Sequence, residues 1–185
     1  VDHPDGLYDP AAYLHRLTER LESVAPAGAT PAYRVVEKIL SGGESLRADW
    51  PVHGTTGYDF ANLVGRLFVD PRAESALTEA WHDLTGRRAG FDYVAYHARH
   101  LVMRRSMHAE LAALADRLDR LSELDWRTRD FTQATLHEAL AEVVACFPVY
   151  RTYVAPERAD PADRAAVEQA VERAGTKSQI DSAVL

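Results

Sequence analysis

Three acidic residues, Asp2, Asp5 and Glu37, have the types and positions that most readily suggest chemistry in this chain. Glu37 lies inside the apolar run RVVEKIL, where a carboxylate buried without partners costs several kcal/mol. It is therefore paired, exposed at a strand end, or functional. Asp2 and Asp5 flank His3 just before a helix start. From the residues alone, a structural ion pair is as good an explanation for Glu37, and a turn with a helix cap is the simpler interpretation of the other two acids.

Two acids at strand ends that face one cavity would match the arrangement required for retaining cleavage of a glycosidic bond. One acid attacks the anomeric carbon and the other protonates the leaving oxygen, with the carboxyl groups ~5 Å apart. The segment after Glu37 is rich in rings that suit the apolar faces of sugars and in groups that could bind their hydroxyls. These candidates are Trp50, His53, Thr55, Thr56, Tyr58 and Phe60, and each of them has a structural interpretation too.

The elements that must position these residues follow from capping signals and hydrophobic periodicity. Asp9 and Pro10 are a cap and a first-turn proline, and the helix that they begin is expected to end near Ala25. A loop rich in alanine, glycine and proline follows at 26–31, and residues 34–40 are predicted to form a short buried strand. Helix, loop and strand in this order indicate a βα unit without its first strand.

From Tyr58 onward, helical patterns dominate the sequence. The predicted helices cover 58–68, 74–84, 91–124 as one helix or as two with a bend near 104–106, a segment from Thr132 to the interruption at Pro148, and a segment from Pro161 to about Ala174. A stripe of leucines at 111, 114, 118 and 121 is expected to pack as core against a neighbouring helix. The fold class is therefore mainly α with a small α/β part.

Composition excludes several classes of function. A formal net charge of -7 argues against a general nucleic-acid binder, which needs a basic face. No run approaches the 18 apolar residues of a membrane span, and the N-terminus is acidic and contains proline, unlike a signal peptide. Cys146 is the single cysteine, so an intrachain disulfide is impossible and a reducing, cytoplasmic compartment is favoured. We therefore expect neither a nucleic acid nor a membrane as partner.

Other polar residues of the helical part have weaker claims. His97, His100, His108 and Glu110 could suggest a metal, but their spacing matches no strong signature, so we predict no metal site there. Cys146 lies on an apolar face, where a buried inert thiol is expected. Without further information, a helical interaction or scaffolding module with no active site explains the composition and periodicity.

Six phrases change this balance because they occur in a characteristic order. They are VDHPDGL, VVEKIL, DWPVHGTTGYDF, LFVDP, TRDFT and EVVACFPVYRTYV. In this order they resemble the maltooligosyltrehalose synthases, a family of the α-amylase superfamily. The resemblance runs from Val1 to about Val154, with a weaker match in the helix beyond Asp160.

The resemblance implies roles for individual residues. Asp2 matches the nucleophile of the Arg-x-Asp pattern at the end of the fourth barrel strand, and Glu37 matches the general acid and base after the fifth strand. His3, His53 and Tyr58 match the sugar-binding pocket. The implied reaction turns the reducing-end α-1,4 bond of a maltooligosaccharide into an α,α-1,1 bond, with no metal or cofactor. The pattern's arginine and the third catalytic acid of the family have no counterpart in this chain.

The resemblance also implies a division of the chain. Residues 1–57 would be a partial segment of the (β/α)8 barrel, containing the end of strand 4, a helix, strand 5 and the following loop. Residues 58–185 would be a helical insertion domain, which could help to exclude water from the site. We expect the chain to be a piece of a longer protein, inactive by itself, with a maltooligosaccharide as the substrate of the whole; no oligomeric state is indicated.

Overall fold

The computed structural model describes residues 1–155, 159–177 and 184, and its contacts divide the chain into two compact units. The first unit comprises Val1–Thr85 and Val149–Ala159, and the second comprises Gly86–Pro148 and Asp160–Leu185. The chain therefore leaves the first unit, returns to it for a short segment and leaves it again. The division at residue 57 into a barrel segment and an insertion was implied by the family resemblance and not by contacts, so it stays a prediction.

A very short parallel sheet lies in the first unit. Strand β1 (Val35–Val36) pairs in parallel with strand β2 (Gly54–Thr55). On the other side of β1, the amino group of Val1 donates to the Val35 carbonyl at 2.8 Å, and the Val1 carbonyl accepts from the Glu37 amide at 2.8 Å. This is the bonding pattern of parallel neighbours, so β1 has hydrogen-bonded chain on both sides.

The predicted strand at 34–40 exists, but its extent was wrong. The pairing ends because strand β2 ends. The Thr56 amide makes a last bond to the Val36 carbonyl at 3.0 Å, and Gly57 then turns the chain with a φ of 113°. A φ in this left-handed region favours glycine. Beyond the ladder Ile39 is 58% exposed, so the apolar run does not continue as a buried strand.

The described part of the first unit contains three α-helices: α1 (Pro10–Val24), α2 (Tyr58–Arg66) and α3 (Glu74–Thr85). The predicted start of α1 is confirmed, since the Asp9 side chain accepts a bond from the Ala12 amide at 2.9 Å. Within the described residues of α2 and α3, none is buried. The core of this unit is a single cluster of Ala11, Leu14, Val36, Trp50 and Tyr153. This cluster joins α1, β1 and the segment Val149–Ala159, which we call the returning segment.

The described part of the second unit contains four helices: α4 (Phe91–Ser106), α5 (His108–Ser122), α6 (Gln133–Ala145) and α7 (Pro161–Lys177). Helix α6 packs against each of the other three. The predicted bend near 104–106 is a complete break at Met107, which gives two helices. The predicted cap at Thr132 is confirmed, because its side chain accepts a bond from the Thr135 amide.

The prediction that the leucine stripe of α5 forms a core face is correct for Leu111 and wrong for Leu114 and Leu121. Leu111 is 6% exposed, whereas Leu114 and Leu121 are 48% and 62% exposed. The residues that α5 buries are instead Leu111, Ala115 and Ser122, which recur at a spacing of four and seven. Small residues at the last two positions let the backbone of a neighbouring helix approach closely, which large leucines would prevent.

Helix α7 buries mostly small residues. Its buried positions are Asp163, Ala166, Ala170 and Ala174, and the three alanines recur at a spacing of four that forms one face of the helix. A separate apolar cluster contains Met103, Leu111 and Ala145. The prediction of a mainly helical protein is therefore confirmed. Of the helices in the described parts of the chain, none is both long and apolar enough to cross a membrane.

Candidate active site

Glu37 lies immediately after β1 and is held by the chain on both sides of that strand. Its Oε2 accepts a hydrogen bond from the His3 backbone amide at 3.2 Å, and its Oε1 accepts one from the Tyr58 hydroxyl at 3.2 Å. Tyr58 is the first residue of α2, directly after the turn that ends β2. The carboxyl ends of β1 and β2 and the segment after Val1 therefore meet at the Glu37 carboxylate, which is half-buried.

Asp2 is exposed and lies between Val1 and His3, in the segment that bonds to β1 and to Glu37. Its neighbours on both sides bond to Glu37: the Val1 carbonyl accepts from the Glu37 amide, and the His3 amide donates to the Glu37 side chain. The two predicted acids are thus at the same edge of adjacent parallel segments. Catalytic groups of barrel enzymes gather at this carboxyl edge of parallel strands.

His3 has an unusual backbone conformation that fixes its ring. It lies at a φ of 40°, in the left-handed region that few residues other than glycine occupy. Its ring packs so closely on Gly6 that a Cβ there would lie 2.6 Å from the ring carbon Cδ2. The ring of Tyr150 meets it edge-on, with centroids 6.3 Å apart. Strain of this kind is often retained at functional sites.

His53 lies at the opposite end of the sheet from Glu37. It precedes β2, and its Nδ1 is 3.1 Å from the backbone amide of Arg34, which precedes β1. The exposed ring of Tyr33 stacks on it at a tilt, with centroids 4.9 Å apart. The structure therefore brings His3 and Tyr58 to Glu37 but not His53, whose role in binding substrate stays a prediction.

The remaining candidates from the segment after Glu37 have individual environments. Trp50 is 5% exposed and packs edge-on against Tyr153 in the core, so it does not offer its face to a ligand. The Thr55 hydroxyl donates to Asp59 at 3.0 Å. Phe60, by contrast, is 71% exposed on α2. The structural interpretation is therefore correct for Trp50.

Behind Glu37, the next residue in the chain is a buried lysine. Lys38 is 2% exposed, and its ammonium group lies 3.1 Å from the Asp5 carboxylate and 2.9 Å from the Glu44 carboxylate. Glu44 also accepts a bond from the Ser41 amide at 2.9 Å. We call Asp5, Lys38 and Glu44 the lysine bridge. It makes Asp5 part of an ion pair instead of a helix cap.

Sequence reasoning missed the contribution of the returning segment. The Arg151 guanidinium donates to the carbonyls of Asp5 at 2.8 Å and Leu7 at 2.7 Å, and the Tyr153 hydroxyl donates to the Asp5 carboxylate. Burial, followed by this hydrogen bond, raises the pKa of Tyr153 well above its usual value, so the phenol stays a neutral donor. The available signal was the pair of tyrosines and the arginine in the phrase PVYRTYV, which are unusual in an ordinary linker.

The polar residues of the second unit form a separate group. The Tyr96 hydroxyl lies 2.5 Å from one oxygen of Glu142, and His100 lies 3.3 Å from the other. Burial raises the pKa of Cys146, as predicted for a buried thiol of low reactivity. Across the residues that the structure describes, no group of three or more His, Cys, Asp or Glu side chains is arranged to hold a metal ion.

Comparisons with known proteins identify the class to which this arrangement is similar. The chain matches solved structures of trehalose-forming synthases over essentially its whole length, although no family model matches it. The DSM5389 glycosyltrehalose synthase is 30% identical with a TM-score of 0.65, and the match covers 99% of this chain and 21% of that one.

The particular likeness is to maltooligosyltrehalose synthases. The structure of maltooligosyltrehalose synthase from Arthrobacter ramosus is 31% identical with a TM-score of 0.73, over 100% of this chain and 21% of that one. A Mycobacterium tuberculosis protein (strain CDC 1551 / Oshkosh), provisionally named maltooligosyl trehalose synthase, is 40% identical over 121 residues. That match covers 65% of this chain and 14% of the relative. The resemblance predicted from the sequence is confirmed, and the chain corresponds to a segment of such proteins.

Proposed function

We propose that this chain is a segment of a longer enzyme, the parent enzyme, that converts the reducing-end α-1,4 bond of a maltooligosaccharide into an α,α-1,1 bond. The proposal rests on one observation above all. Glu37 is held at the carboxyl end of β1 by the His3 backbone amide and by the Tyr58 hydroxyl, and Asp2 directly precedes His3 at the same edge. Two acids so placed suit a retaining mechanism.

In this mechanism Asp2 and Glu37 have complementary tasks. The Asp2 carboxylate attacks the anomeric carbon while protonated Glu37 gives its proton to the glycosidic oxygen, which releases the terminal glucose and leaves a glycosyl ester on Asp2. The freed glucose then turns within the pocket. Its own anomeric hydroxyl attacks the ester, Glu37 takes back the proton, and the α,α-1,1 bond forms as the Asp2 ester breaks. No water is consumed and no cofactor takes part.

The hydrogen bonds to Glu37 suit this double role. The His3 amide fixes one carboxylate oxygen, while the Tyr58 hydroxyl contacts the other and can exchange for the glycosidic oxygen as substrate arrives. The exposed Asp2 side chain is free of such packing constraints and open to a ligand. Because His53 lies at the other end of the sheet, it would contact the substrate only if other parts of the parent enzyme extend the site to that end.

We also propose that the chain is inactive by itself. It spans about a seventh of the length of the curated relative and about a fifth of the solved synthases, so most of a barrel-sized site would have to come from elsewhere. Incubation of this chain with maltopentaose should give no trehalose-ended product. Measurable conversion would contradict this part of the proposal.

The test of the site itself is a substitution in the parent enzyme. Glu37→Gln keeps the shape of the side chain and both hydrogen-bond partners but removes the transferable proton. The turnover of maltopentaose should fall by about 100-fold to 10,000-fold. Glu22→Gln removes a carboxylate from the exposed surface of α1, outside the proposed site, and is the matched control, with a much smaller loss. Full turnover in Glu37→Gln would overturn the proposed function.

A further inference from the structure

A buried lysine paired with two carboxylates contributes little net stability to a small unit. Lys38 is almost fully buried, and its two partners are themselves 10% and 12% exposed in their side chains. Removing such charges from water is costly, and well-packed apolar residues often give equal or greater stability. Stability alone therefore does not account for the lysine bridge.

The bridge joins the two segments that carry the proposed catalytic acids. Lys38 directly follows Glu37, and Asp5 comes three residues after Asp2. In extended chain successive side chains point to opposite faces, so Lys38 anchors β1 from behind while Glu37 faces the site. Its bond to Asp5 at 3.1 Å then ties the turn after Asp2 to the same strand.

Asp5 is held by hydrogen bonds to its side chain and to its backbone. One carboxylate oxygen accepts from Lys38 and the other from the Tyr153 hydroxyl, while its backbone carbonyl accepts from Arg151 at 2.8 Å. The 3-10 turn Pro4–Gly6 that contains it has Pro4 fully buried. This leaves the segment from Asp2 to Leu7 little freedom to move relative to β1.

We propose that the lysine bridge positions the two catalytic carboxylates, with Lys38 as the central positioning residue. The inference rests on the proposed function, in which Asp2 and Glu37 must stay ~5 Å apart for a retaining reaction. A misplacement of about 1 Å can reduce a rate about 100-fold. The bridge supplies the needed rigidity without contact with the substrate, and the returning segment with Arg151 and Tyr153 completes it.

The test is a series of substitutions in the parent enzyme, assayed with maltopentaose. Lys38→Met keeps most of the side-chain volume but removes the ammonium group. Its kcat should fall about 100-fold per folded molecule while KM changes by no more than about threefold, because the groups that bind sugar remain. Lys38→Arg, which retains the charge, should recover part of the loss.

A matched control separates positioning from general destabilisation. Leu111→Ala removes a buried side chain from the apolar cluster of the second unit, which contains no residue of the lysine bridge. Its stability should fall, but its kcat per folded molecule should stay within about twofold of the unaltered enzyme, since no charge near Asp2 or Glu37 changes.

Two further variants keep the test decisive if Lys38→Met does not fold. Tyr153→Phe removes the hydroxyl that donates to Asp5, and Asp5→Asn removes the negative charge that pairs with Lys38. Both changes alter side-chain shape little, and kcat should fall about tenfold in each. Glu37→Gln, measured in parallel, distinguishes the two claims. If Glu37→Gln is inactive while the folded bridge variants keep full kcat, the positioning role is overturned; if Glu37→Gln is active, the proposed function itself fails.

Discussion

The two units differ in how they hold their buried charges. In both units the buried set combines large apolar side chains, such as Leu14 and Trp50 in the first and Met103 and Leu136 in the second, with a charged residue. In the first unit Lys38 pairs with the carboxylates of Asp5 and Glu44, whereas in the second Asp163 lies in the first turn of α7 and accepts a bond from the Asp160 backbone amide at 3.3 Å.

This difference teaches where the specific geometry of the chain resides. The bond of Asp163 to the Asp160 amide lies within one turn of chain, whereas the bond of Lys38 reaches Asp5, 33 residues away. The buried ions of the first unit need particular partners at particular distances, since an unpaired charge there is strongly destabilising. We infer that the first unit is adapted to hold a site and the second to build a framework of helices.

The largest effect should come from the apolar core of the second unit. Leu111→Ala removes a side chain that is 6% exposed, and the free energy of unfolding should fall by about 2–5 kcal/mol. Leu114→Ala makes the same chemical change on the same helix, where the side chain is 48% exposed, and should cost no more than about 1 kcal/mol. Urea unfolding followed by circular dichroism measures both, and equal losses would contradict the assignment of the buried face.

A second, intermediate effect concerns pH. Burial, followed by the hydrogen bond to Glu142, raises the pKa of Tyr96 from 10.0 to about 12. Because the neutral phenol is favoured in the folded state, its stabilisation is complete below pH 10 and is lost as the pH rises through about 12. Tyr96→Phe should therefore flatten the decrease in stability of the second unit over that range. An unchanged pH profile in urea unfolding would contradict the shift.

The smallest effects should come from helix caps, which both units share. Asp9 caps α1 and Thr132 caps α6 through a side-chain oxygen that accepts a backbone amide. Replacement of either by alanine should destabilise its own unit by about 1 kcal/mol, and replacement by glycine by less. Hydrogen exchange of the amides in the first turn of each helix should increase locally. A global loss in either variant would show that the caps couple to the core.

Local signals made much of this fold predictable from the sequence. The caps at Asp9 and Thr132 follow from residue types that act within a turn of chain, whereas the residues at 91–124 left one helix or two open. The leucine stripe failed because Leu111 and Leu114 are equally apolar, and only the position of α6 decides which one is buried. Periodicity identifies an apolar face but not its neighbour.

The candidate site was predictable only where the chain is continuous. Glu37 drew attention as an acid in an apolar run, and the bonds of its carboxylate to His3 and Tyr58 agree with a site there. The contacts of Arg151 and Tyr153 with Asp5 span 146 and 148 residues. Such pairs leave no periodic pattern in one sequence. The location of His53 at the far end of the sheet depends on strand direction, which motif order alone does not give.

The central claim, that Asp2 and Glu37 act together on a glycosidic bond, can be tested by trapping. In the parent enzyme with Glu37→Gln, an α-maltosyl fluoride needs no protonation of its leaving group, so it can still transfer its sugar to Asp2 although the ester is then resolved slowly. Mass spectrometry of the digested protein should find a maltosyl adduct on the peptide that contains Asp2. An adduct on another residue, or no adduct in the folded enzyme, would contradict the account.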